Sequence, residues 1–227
     1  MGALTIAIDG PAASGKSTVA RQVAQRLGGY CVNTGDMYRA VSWAALERGI
    51  DVACTPERVT AMLADLDLRY RPVGPGQLQL CLNGQPVPQG PIRSAAVAAV
   101  VSLVARIPTV REWLRDRQRE CCALGTVVME GRDIGTVILP DAPFKFFITA
   151  SPEERARRRL RQAGEIAAGA TVASVAAEIA ERDRLDSSRA VAPLRPAPDA
   201  IVINTDGVPA EEVAERILRT VAEGGPP

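Results

Sequence analysis

The sequence predicts an α/β protein with a central parallel sheet flanked by helices, and three observations support this. Strand-like, β-branched runs alternate with stretches of helical periodicity along most of the 227 residues. A glycine-rich loop, Gly10 to Ser17, separates the first strand from the first helix. Residues 67–87 break the alternation with a two-strand pattern of their own, which predicts a small antiparallel insert.

Residues 1–9 read as the first strand; they lack the basic flank and long apolar core of a signal peptide. After the loop, Val19, Ala20, Val23, Ala24 and Leu27 recur at helical spacing, and Gly28-Gly29 ends that helix. A short strand at 30–33 leads into a second helix with Met37, Ala40, Val41 and Ala44 on its apolar side, stopping at Gly49. In the insert, residues 67–71 and 77–82 read as strands. Asn83-Gly84 follows as a tight turn, because both positions accept positive φ. Helices are expected at 93–105 and 108–121, and buried parallel strands at 126–129 and 145–150. Ser151-Pro152-Glu153-Glu154 combines an N-cap, a proline at the first helical position and a capping-box glutamate. Residues 164–171 read as a mobile loop, 172–184 as a helix, 200–203 as a strand and 209–222 as the closing helix.

Composition removes several function classes. Lys plus Arg (27) nearly cancel Asp plus Glu (26), so no net basic field supports binding to nucleic acid or a membrane surface. No apolar run approaches the roughly 18 residues of a membrane span. The five cysteines are odd in number and form no C-x-x-C pair, so reduced thiols in a cytoplasmic protein are expected. Histidine is absent, so any chemistry must proceed without imidazole.

Gly10-Pro11-Ala12-Ala13-Ser14-Gly15-Lys16-Ser17 fits G-x-x-x-x-G-K-[ST], a phosphate-binding P-loop, and Thr18 continues it into the helix. Backbone N–H groups in such a loop converge on phosphate oxygens, and the helix N-terminus adds a favourable dipole. Lys16 is expected on the β- and γ-phosphates of ATP, with the Ser17 hydroxyl on Mg2+. The D-x-x-G and N-K-x-D elements of GTPases are both missing, which favours a kinase.

Further motifs, Thr34-Gly35-Asp36-Met37-Tyr38-Arg39, Glu130-Gly131-Arg132-Asp133-Ile134-Gly135-Thr136 and Arg182-Asp183-Arg184-Leu185-Asp186-Ser187-Ser188-Arg189, closely resemble those of bacterial cytidylate kinases, in order and spacing. Asp141 to Lys145 and Ala190 to Leu194 extend the resemblance over essentially the whole chain. It implies a single nucleoside monophosphate kinase domain, residues 1–227, of P-loop NTPase fold. The acceptor-binding insert would lie at about 55–105 and a short arginine-rich lid at about 157–173. The reaction implied is transfer of the γ-phosphoryl of ATP to CMP or dCMP by a cytoplasmic monomer. The alternatives are a P-loop kinase for UMP, AMP or a metabolite hydroxyl, and a non-catalytic ATP-binding regulator.

By that resemblance Thr34, Ser102, Arg111 and Asp133 surround the cytosine, Arg182 and Asp186 meet the ribose, and Arg39, Arg132 and Arg189 meet the α-phosphate. Lys16, Arg132, Arg158 and Arg189 are the expected catalytic cations. The residue types suit base recognition, since a carboxylate accepts from the exocyclic amine of cytosine and arginine donates to its ring acceptors. Without the resemblance, Arg182 and Asp186, four apart on a helix, read as a solvated pair, and Ser102 as a small core-facing hydroxyl. One position departs from the family, which usually has a small residue where this chain has Asp36. A carboxylate there either caps the helix that follows or disturbs binding of an anionic acceptor.

Overall fold

The computed structural model describes residues 3–161, 169–189 and 191–224. Strand β1 (Thr5–Asp9) passes through the glycine loop into α1 (Lys16–Arg26), and β2 (Tyr30–Asn33) runs directly into α2 (Thr34–Glu47). Next come α3 (Pro56–Met62), the strands β3 (Leu68–Gly74), β4 (Gln77–Leu82) and β5 (Gln85–Pro86), and the helices α4 (Gln89–Ile92), α5 (Ala95–Val104) and α6 (Pro108–Glu120). Strands β6 (Val127–Gly131) and β7 (Phe144–Thr149), helices α7 (Pro152–Leu160) and α8 (Val172–Ser187), strand β8 (Ile201–Asn204) and helix α9 (Ala210–Ala222) complete the order.

The five strands β2-β6-β1-β7-β8, in that spatial order, form one parallel sheet; β3-β4-β5 form a separate antiparallel one. Side chains alternate along β1, and both faces are covered. Ile6 and Ile8 pack with Val19 and Val23 of α1 and with Val213 and Ile217 of α9, whereas Ala7 packs with Val32, Met129 and Ile134. Every residue of β6 is buried, which explains its apolar, β-branched run. The insert shares a core with its neighbours, where Val59, Leu68 and Leu80 pack with Met37 and Val41 of α2 and with Leu114 of α6.

Local signals account for most boundaries. Asn83 and Gly84 take φ of 50 and 79°, as the turn requires, and Ser151 Oγ accepts from the Glu154 amide at 3.3 Å. The helix expected at 93–105 is α5, shortened at its start because Ser94 caps it by accepting from the Val97 amide at 3.3 Å, and the short α4 precedes it, stopping at Ile92. Helix α3 escapes a reading by periodicity because it has seven residues, of which Val59 and Met62 are buried. β3 runs to Gly74, beyond the expected 71, and absorbs Pro72 at a bulge on the sheet's edge. Helix α8 continues past the expected 184, and Asp186 in its last turn is buried among arginines. The loop expected at 164–171 lies mostly outside the described residues, although Thr171 forms a capping box with Ser174 at the start of α8.

Gly10 marks the tightest approach. Its φ is 147°, and a Cβ there would lie 2.0 Å from the Ile148 carbonyl oxygen of β7. Backbone cannot yield as a flexible side chain would, so Gly10→Ala should lower stability by more than about 2 kcal/mol. Urea unfolding of the purified variant measures the loss.

Candidate active site

The glycine loop is fixed by its carbonyls. Gly10 O accepts from Arg132 (3.0 Å), Pro11 O from Lys16 Nζ (2.6 Å), Ala12 O from Arg155 (3.3 Å), and Ser14 O from both Arg158 and Thr205 Oγ1 (3.2 Å each). Among the described residues no hydrogen bond engages the N–H groups of Ala12, Ala13, Ser14 or Gly15, so these are the groups offered to an anion. Two left-handed residues, Ala13 (φ 58°) and Gly15 (φ 94°), shape the hollow before α1 begins. Lys16 is buried, and desolvation followed by the nearby Arg132 charge lowers its pKa to about 7. A phosphate would reverse that cost.

Ser17 Oγ donates to Glu130 Oε1 at 2.6 Å, across from β6. At the end of β1, the buried Asp9 carboxylate accepts from the amides of Ile134 (2.8 Å) and Gly135 (2.7 Å), which open a π-helical turn at Ile134–Ile138. Burial pushes the Asp9 carboxyl up to about 6 against those two donors.

The opposite end of the cleft is built on α2, α6 and α8. Thr34 Oγ1 donates to Glu130 O at 2.9 Å. Arg111, from α6, is paired with Asp133, and both side chains are 7% exposed; the Tyr38 ring lies 5.7 Å from the guanidinium. Burial raises the Asp133 carboxyl, with Arg111 as its chief opposition. Between the two ends, Asp186 accepts from Arg132 at 3.0 Å and from Arg189. Arg182 is lowered to about 9, first by burial and then by the Arg132 charge.

One cleft is lined by residues 12–18, Thr34, Arg39 and Ser102, and by Arg111, Arg132, Asp133, Arg182, Asp186 and Arg189. Gly10 and Pro11, also expected at the site, are not among the residues that line it. Arg182 and Asp186 are not the solvated pair their spacing alone suggests, since Asp186 is 1% exposed and held by other arginines. Arg158 lies elsewhere: it is bound to Glu154, Thr205 and Ser14 and lines a neighbouring hollow beside Gly15, Val19 and Val213. Its neighbour Arg159 lines the main cleft instead, one position further round the helix. Asp36 is not the cap of α2. Asn33 Oδ1 accepts the Asp36 amide at 3.2 Å, while the Asp36 carboxylate pairs with Arg93 at 2.5 Å.

Glu130, Arg93 and Arg159 line the cleft, and Asp9 lies beside it, without any of them having been assigned a role from the sequence. Glu130 and Asp9 did carry a signal: each is a lone carboxylate at the end of a buried apolar strand. Among the described residues no cluster of three His, Cys, Asp or Glu is placed to hold a metal, and no helix is long and apolar enough to cross a membrane.

The family model described as cytidylate kinase matches residues 6–223. A cytidylate kinase of Pelotomaculum thermopropionicum is 48% identical over 222 residues, covering 96% of each chain. One from Geobacillus kaustophilus is 48% identical over 97% of each. A bifunctional pantoate ligase/cytidylate kinase of Synechococcus elongatus is 45% identical over 97% of this chain and 42% of that protein. Among solved structures, shikimate kinase from Bacteroides thetaiotaomicron aligns at a TM-score of 0.52 and 12% identity, over 96% of this chain and 98% of that one, which is a likeness of fold.

Breaking the Arg111–Asp133 pair from one side leaves a buried charge. Arg111→Met should cost about 3–5 kcal/mol at pH 8. The carboxyl's folded pKa is raised above its unfolded value, so the folded state favours the protonated form. The loss should therefore shrink as pH falls through that raised pKa. Urea unfolding at pH 8 and pH 5 measures both.

Proposed function

The chain belongs to the cytidylate kinase family, and we propose that it transfers the γ-phosphoryl of ATP to CMP or dCMP, giving ADP and CDP or dCDP. The observation that carries this reading is a single cleft with the glycine loop at one end, the Arg111–Asp133 pair at the other and cations between them. Donor and acceptor phosphates would meet at those cations.

The acceptor nucleophile is a phosphate oxygen, largely dianionic at neutral pH with a second pKa near 6, so no general base is needed. Histidine's absence is therefore no obstacle. The barrier lies in bringing two polyanions together, which costs about 4 kcal/mol per charge pair at 4 Å and an effective dielectric of 20. Lys16 would cancel charge on the β- and γ-phosphates, while Arg39, Arg132, Arg182 and Arg189 surround the acceptor. One well-placed arginine is worth on the order of 10³–10⁵ in rate in related phosphoryl transfers.

The residues fit magnesium. A hydroxyl (Ser17) and a carboxylate (Glu130), 2.6 Å apart at the loop's exit, are hard oxygen donors, and Mg2+ is usually held by one or two such groups together with phosphates and water. When bound with ATP it would neutralise charge developing on the β- and γ-oxygens.

Asp133 would set base choice, because its carboxylate accepts from the cytosine amine and repels the carbonyl that uracil presents instead. Such a contact discriminates by roughly 1–3 kcal/mol. We assign acceptor binding to the insert at about 55–105, which is supported by its own sheet and by Arg93 and Ser102 in the cleft wall. We assign the lid to about 157–173; Arg159 in the cleft wall supports this, and residues 162–168 lie outside the described set. We also assign the chain to the cytoplasm, which five free cysteines suit.

A coupled assay with ATP, Mg2+ and each nucleoside monophosphate tests the reading. CMP and dCMP should be turned over and UMP used roughly tenfold or more poorly; no CDP from CMP would overturn it. Lys16→Ala should remain folded and lose kcat by at least on the order of 10³. In the same assay Asp133→Ala should raise KM for CMP at least about tenfold while KM for ATP stays within about threefold.

A further inference from the structure

Two segments that hold opposite ends of the cleft are joined below it. Asp9 and Gly131 are register partners at the carboxyl ends of β1 and β6. From there one chain turns through Gly10 into the glycine loop, and the other turns through Arg132 and Asp133 into the π-helical turn. The Asp9 carboxylate takes Ile134 N on one oxygen (2.8 Å) and Gly135 N on the other (2.7 Å). In the reverse direction Arg132 donates to Gly10 O at 3.0 Å. The first amides of a helical turn have no partner within it, and an anion there also meets the favourable end of the turn's dipole. Here that anion comes from a different strand, and it is 3% exposed.

We propose that Asp9 is a positioning residue for phosphoryl transfer: its two-oxygen grip on the Ile134 and Gly135 amides fixes Arg132 and Asp133 relative to the glycine loop. This rests on the kinase reading above. Asp9 need not touch either nucleotide. It sets the separation between the loop that would hold the donor and the residues that would hold the acceptor. The end-to-end approach of the phosphates therefore depends on it more than the affinity for either one.

Asparagine at this position distinguishes positioning from mere packing. It has nearly the same size, but one terminal atom is an N–H₂ that would face an amide donor. One grip is then lost and the turn shifts. In Asp9→Asn the kcat with CMP should fall on the order of 10²-fold, as misplacements of about 1 Å do. The dissociation constants of ATP alone and of CMP alone should stay within about threefold. A folded variant with unchanged kcat, or one whose loss lies wholly in CMP affinity, overturns the proposal.

A second measurement uses the unaltered, nucleotide-free chain and does not depend on the variant folding. Lys16 and Asp133 are the charges that act on Asp9; the Lys145 ammonium, whose stem packs near Gly135, is turned to Asp199 at 2.6 Å. As pH falls through about 6, the value to which burial pushes Asp9, the amide proton resonances of Ile134 and Gly135 should move together. If either amide exchanges with deuterium at the rate of an unbonded group at neutral pH, the grip is absent and the proposal fails. Failure of the unaltered chain to make CDP would instead overturn the kinase reading, leaving the amide exchange to decide the grip on its own.

Discussion

Mutual repulsion among cations is the constraint around which this molecule is arranged. Lys16, Arg132 and Arg182 lie close enough that each lowers or opposes the charge of another, and burial removes the water that would screen them. Such a cluster persists because carboxylates are interleaved with it. Asp186, at the end of α8, holds Arg132 and Arg189 together, and Asp133 holds Arg111. Neutralisation stops short of complete, however. Lys16 near 7 and Arg182 near 9 mark places where positive charge is carried at a cost. The fold meets that cost through its apolar cores, and the excess of cations is what a polyanion would relieve on entering.

This arrangement also explains why the antiparallel insert matters. Its apolar residues close over α2, and α2 carries Thr34, Asp36 and Arg39 on its cleft side. The Asp36–Arg93 pair adds a charged tie between the start of α2 and the segment just before α5. A residue that breaks the family pattern is thus engaged within the chain, with its charge answered by an arginine.

Local chemistry made much of this legible. The Asn83-Gly84 turn and the Ser151 cap depend on neighbours within a few residues, so their sequence signals carried over directly into structure. The Arg132, Asp133, Arg182, Asp186 and Arg189 set also converges on one cleft, because motif spacing survives when the strands and helices carrying it do. What could not be read had tertiary causes. Asn33 takes the capping position ahead of Asp36 because β2 ends directly in α2, with no intervening loop. Arg158 and Arg159 are equivalent in composition, and only the docking of α7 beside Thr205 decides which one turns into the main cleft. Asp9 and Glu130 required knowledge of strand order, since their partners lie more than a hundred residues away.

The way the glycine loop is gripped also bears on how the chain matures on a ribosome. The carbonyls of Ala12 and Ser14 are bound by Arg155 and Arg158 of α7 and by Thr205, just beyond β8. The side chains that hold residues 10–17 in shape emerge from the ribosome as much as 191 residues after the loop itself. The nascent protein therefore carries its most recognisable motif in an unfinished form until α7 and Thr205 have been made, and only then can the hollow take its final shape.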